Sequence, residues 1–216
     1  MKKLSVILIA AALALILTAC TAGAAGNTGL EEQYLPQGVE FIKTEKDDGF
    51  TEHKYRDSEN NKYTLIVDAA GSVRALEYDS TARSKAESVV LTSEEAFAAV
   101  TAIYPEARLI TAAEDRDDGR WEWDLLFTDG SILGFYEIDA ADGTVLDYEL
   151  LYYSGSPIDP VAIITANLPN AVVSELSLDT DDGRLYIEGE ASAEKGIIEF
   201  SIDADTGTIV EMEYDD

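Results

Sequence analysis

Residues 91–127 read LTSEEAFAAVTAIYPEARLITAAEDRDDGRWEWDLLF, and their hydrophobic period changes partway along. Thr92 is placed to cap a helix, with Glu95 completing a capping box. Ala96, Phe97, Val100, Ile103 and Tyr104 then share one helical face, and Pro105 stops the helix. From Trp121 the period drops to two. Trp121, Trp123, Leu125 and Phe127 fall on one side and Glu122 and Asp124 on the other, which is the pattern of a half-buried strand. ARLITAAED (107–115), SILGFYEID (131–139) and TVLDYELLYY (144–153) supply further strands, with turn residues between them. The unit is one helix followed by about four antiparallel strands. Such a sheet is expected to bury one face under its helix and leave its acidic face wet.

The unit recurs. A Pro after Leu or Tyr stands at Pro36, Pro105 and Pro169, an Asp-Asp-Gly at residues 47–49, 117–119 and 181–183, and an Asp after Val or Ile at Asp68, Asp139 and Asp203. Gly71, Gly143 and Gly207 follow those aspartates. Three landmarks in register make a repeat. In the last copy Asp159 caps a helix with Pro160 at its first position, and Val161, Ile164 and Leu168 form the apolar face. In the first copy only LEEQYLP (30–36) is left for the helix. The fold class is therefore α+β, in tandem repeats that each place one helix on an antiparallel sheet of about four strands.

The stretches LTSEEAFAAV…YPEA, DDGRWEWDLLF and YEIDAADGTVLDYE resemble the PepSY domain, in which a capped helix, a charged turn into an aromatic strand and a closing Asp-Ala-x-x-Gly hairpin follow in that order. The resemblance is strong over about 91–150, moderate over about 157–216 and weak over about 30–80. It implies inhibition or regulation of peptidases near the cell surface, and it brings no catalytic residues with it.

The N-terminus reads as an address. Lys2 and Lys3 precede an apolar run that closes in Leu17-Thr18-Ala19-Cys20, similar to a bacterial lipobox. Cys20 is the expected lipidation site, which anchors the chain to the extracytoplasmic face of a cell membrane. The reading divides the chain into a signal peptide (1–19), a flexible tether (20–29), a degenerate PepSY-like repeat (30–80), a linker (81–90), a PepSY repeat (91–153) and a PepSY-like repeat (157–216).

The composition excludes several functions. A formal charge of −28, from 43 acidic and 15 basic residues, argues against nucleic acid as a partner. One cysteine and one histidine rule out an internal disulfide and a His-rich metal site. The histidine, His53, lies in a polar strand pattern and is expected to be an exposed strand residue; no nucleophile and base can be paired, so the protein is not expected to be an enzyme. DRDDG (115–119), DTDDG (179–183) and DADTG (203–207) look like ion loops, but their Gly falls one place early for an EF-hand and the flanks read as strands. They are expected to be hairpin turns, with no cofactor and no metal site beyond weak, screened calcium binding to the surface. Tyr152 and Tyr153 point to opposite faces, so one of them should be exposed near the linker as a partner contact. The expected role is a lipoprotein that binds and inhibits or regulates a secreted or envelope peptidase. The alternative is an acidic cation-binding or envelope-sensing lipoprotein.

Overall fold

The computed structural model describes residues 31–214, as three helices and twelve strands. A short helix α1 (Glu31–Tyr34) precedes strands β1 (Glu40–Asp47), β2 (Phe50–Arg56), β3 (Lys62–Val67) and β4 (Val73–Asp79). Helix α2 (Ser93–Thr101) leads into β5 (Arg108–Asp117), β6 (Arg120–Asp129), β7 (Ile132–Asp139) and β8 (Val145–Tyr152). Helix α3 (Pro160–Asn167) leads into β9 (Val172–Asp181), β10 (Arg184–Ala193), β11 (Gly196–Asp203) and β12 (Ile209–Tyr214). Among the described residues, no helix is long and apolar enough to cross a membrane.

The expected helix starts are present. Thr92 accepts from the Glu95 amide while the Glu95 carboxylate accepts from the Thr92 amide, at 3.2 and 2.9 Å. Asp159 accepts from the Ala162 amide at 2.9 Å. Helix α2 ends sooner than its pattern suggests: the Ile103 and Tyr104 amides both turn back onto the Val100 carbonyl, so Ile103 points outward and only Tyr104 reaches the core.

The architecture differs from one sheet per repeat. The molecule is mostly β, with an eight-stranded sheet ordered β1-β2-β3-β4-β8-β7-β6-β5 and a four-stranded sheet ordered β12-β11-β10-β9. The first two copies merge because β4 pairs antiparallel with β8: Leu76 faces Leu150, Glu77 faces Glu149 and Tyr78 faces Tyr148. Pairing two edge strands satisfies a row of backbone groups that each copy alone would leave to solvent. Tyr63, Tyr78, Tyr148 and Tyr136 consequently form a ladder across the join, with ring centroids 5.0, 4.7 and 4.8 Å apart.

The large sheet is buried on both faces. On one, Trp123, Leu125 and Phe127 share a core with Ala96 and Val100 of α2, as the alternation at 121–127 requires. On the other, Ile66, Leu126, Leu133 and Leu151 share a second core with Ile164, Val173, Leu185 and Phe200 of the last copy. The acidic face expected to stay wet is thus partly covered by the small sheet. Single-sheet reasoning could not anticipate this, because Leu126, Leu133 and Leu151 alternate with carboxylates along the same strands.

Candidate functional site

The aspartates of the three closing hairpins are committed to their own turns. Asp68 Oδ1 accepts from the amides of Ala70 and Ser72, Asp139 Oδ1 from Ala141 and Asp142, and Asp203 Oδ1 from Asp205 and Thr206, all at 2.7–3.2 Å. Asp139 is buried, and a further amide, that of Lys85, reaches its Oδ2 at 2.6 Å. Burial works against its charge, but the amides of Lys85, Ala141 and Asp142 outweigh this and hold its carboxyl below the usual range.

The Asp-Gly pairs 48–49, 118–119 and 182–183 have positive φ at both residues, the signature of two-residue type I′ hairpins. The acids that precede them are therefore strung along strands rather than wrapped around a centre. Among the described residues, no group of three or more His, Cys, Asp or Glu has the arrangement to hold a metal ion.

His53 is half-buried on β2, with Nδ1 and the Thr44 hydroxyl 2.9 Å apart, so it is less exposed than its polar strand suggests. Tyr152 and Tyr153 do face opposite ways, but neither is exposed. Tyr152 packs edge-on against Tyr34, with centroids 5.0 Å apart, in the first core. Tyr153 packs in the second core, its hydroxyl buried beside the Ile158 backbone at a geometry short of a full hydrogen bond. The expectation of an exposed tyrosine treated β8 as the end of a module. The β4–β8 join makes it a central strand, and the last copy covers its other face. Cys20 lies outside the described residues.

The feature that sequence reasoning missed is a crevice of about 810 Å³ between the two sheets. Asp124, Glu137, Asp147 and Glu149 line it from the large sheet, Glu188 and Glu199 from the small one, and no Lys or Arg joins them. Burial, reinforced by Asp115 and Glu137, pushes the Asp124 carboxyl up to about 7. Burial and then Glu137 and Asp79 push Asp147 up to about 7. Burial pushes Glu149 up to about 8, although its Oε2 accepts from the Leu178 amide of β9 at 2.8 Å. That hydrogen bond gives Glu149 a structural role, since it caps an edge amide of the small sheet and holds the two sheets together. The crevice thus gathers carboxylates between the two sheets, and burial raises those of Asp124, Asp147 and Glu149 above their ordinary range.

The family model described as PepSY, "Peptidase propeptide and YPEB domain", matches residues 90–149 and 161–213. No curated protein matches the chain in sequence. Among solved structures, a protein of Clostridium difficile 630 assigned as a lipoprotein is 17% identical, with a TM-score of 0.30 over 58% of this chain and 94% of that one. The C-terminal domain of Bacillus megaterium YpeB is 15% identical, with a TM-score of 0.33 over 81% of this chain and 88% of that one.

Proposed function

The chain belongs to the PepSY family of peptidase propeptide and YPEB domains, and from that premise we propose that it is a non-catalytic envelope lipoprotein that binds a secreted or envelope peptidase and inhibits or regulates it. The observation that carries this reading is the pair of family matches in tandem, at 90–149 and 161–213. The site chemistry agrees with it: the hairpin aspartates accept from their own turn amides, and Glu149 of the crevice accepts from an amide of the facing sheet. Function is then a matter of surfaces. The outer strand β1 carries the exposed Phe41 and Ile42, and an edge strand of this kind can pair with an extended cleft. Lipid on Cys20 would hold the repeats at the membrane, where such a peptidase works.

The experiment is to mix the lipid-free chain (Cys20→Ser) with secreted peptidases from the same cells and to follow both complex formation and the rate of substrate cleavage. A complex with an altered rate supports the proposal. Unchanged rates and no complex at micromolar protein would refute it.

A further inference from the structure

Strands β4, β8 and β12 are the fourth strands of the three copies, and they are equivalent residue by residue. Each pairs with its preceding strand through the same irregularity, a register shift after the first pair, at Ile66/Val67, Glu137/Ile138 and Ser201/Ile202. Ala75, Asp147 and Glu211 sit at the first place beyond the shift, followed by Leu76, Tyr148 and Met212, then Glu77, Glu149 and Glu213, then Tyr78, Leu150 and Tyr214. In this alignment the β4–β8 join is a local twofold. Leu76 meets Leu150 and Tyr78 meets Tyr148, while Glu77 meets its own equivalent Glu149 on the axis. Two of the three fourth strands are therefore paired with each other through a symmetric contact. The third, β12, forms the outer edge of the small sheet.

We propose that β12 is a self-association strand, and that two copies of this chain join β12 to β12 antiparallel about an axis through Glu213, as β4 joins β8. The inference goes beyond peptidase binding and does not depend on it. Joining would continue the small sheet into eight strands, in the same order as the large sheet already has. Glu213 would meet Glu213 of the second copy, and Tyr214 would lie against Met212 of the second copy, where Tyr78 stacks on Tyr148 in the internal join. Two apolar residues of this short strand stand out from the fold: Val210 is 51% and Tyr214 46% exposed.

The charges set the conditions. Glu213 is flanked by Glu211 on its own strand and faces Glu199 on β11, and the whole chain carries −28, so association is opposed at low salt and favoured once charges are screened. The internal join also sets Glu77 opposite Glu149, but there burial raises both carboxyls, whereas Glu213 is exposed.

The test is sedimentation velocity of the full mature chain carrying Cys20→Ser, at about 0.5 M salt. A reversible monomer–dimer equilibrium is expected. Mixing that chain with its Glu213→Lys variant places unlike charges on the axis, so the mixed dimer should dissociate at least about fivefold less readily than either dimer alone. Glu213 is exposed, and unchanged thermal unfolding of the variant confirms an intact fold. A chain that stays monomeric up to about 0.5 mM would overturn the proposal. So would a dimer whose strength does not respond to mixing at residue 213, because its contact would lie elsewhere.

Discussion

Replacing Glu149 by Gln should stabilise this protein in alkali, and by much less in mild acid. The Glu149 carboxyl is raised from 4.5 to about 8, chiefly by burial. The folded state therefore keeps a proton that the unfolded chain gives up, and stability falls as pH rises between those two values. Each pH unit inside the window costs about 1.4 kcal/mol. From pH 5.5 to pH 9 Glu149 alone should thus remove roughly 3 kcal/mol, with no further loss above the window. Gln stands in for the protonated acid: it keeps an oxygen to accept from the Leu178 amide and cannot ionise. Removing the charge also eases Asp147, whose carboxyl burial and then Glu137, Asp79 and Glu77 already raise. Urea unfolding at pH 5.5 and pH 9 measures the effect. The variant should gain about 2–3 kcal/mol on the parent between the two conditions. A difference that does not change with pH, or a variant less stable than the parent at pH 9, would show that Glu149 is ionised in the folded state and would sink the reasoning.

Other outcomes follow from single residues. Thr92→Ala removes one half of the α2 capping box and should cost about 1 kcal/mol in chemical unfolding. Gly134→Ala places a methyl group inside the Phe127 ring at a fully packed position, so a loss of about 1–3 kcal/mol is expected; an unchanged midpoint would mean that Phe127 can move aside. Titration calorimetry with calcium at physiological salt should give only weak, unsaturable heats, and stoichiometric micromolar binding would overturn the reading of the Asp-Gly loops as turns. Cys20→Ser should move the protein from the membrane fraction to the soluble one and abolish labelling with a fatty-acid analogue.

Local grammar was legible in the sequence. The Thr92 and Asp159 caps, the Trp121–Phe127 alternation and the Asp-Gly turns each depend on a few neighbouring residues, and each is found in place. What lay beyond reading was set by contacts between copies. Alternation in β8 shows that Leu151 and Glu149 share a face, but not that another sheet lies over both. The β4–β8 join did leave a trace. Leu76-Glu77-Tyr78-Asp79 is the reverse of Asp147-Tyr148-Glu149-Leu150, and in an antiparallel pairing reversed sequences set like residues opposite each other, Leu on Leu and Tyr on Tyr. Missing that signal is what turned Tyr152 and Tyr153 from core residues into expected contacts.

The β4–β8 join also governs the order in which the molecule can fold. Leu76 waits for Leu150, about seventy residues further along the chain, before its strand acquires a second neighbour. Until then β4 is an open template for any other extended segment, including that of a neighbouring nascent chain. The first copy has only a four-residue helix to shield it, so it cannot mature ahead of the second. The first two copies therefore depend on one long-range pairing, whereas the four strands of the last copy pair only with their sequence neighbours, although their inner face is buried against the large sheet. The interval before β4 and β8 meet is thus when the chain most needs protection from aggregation.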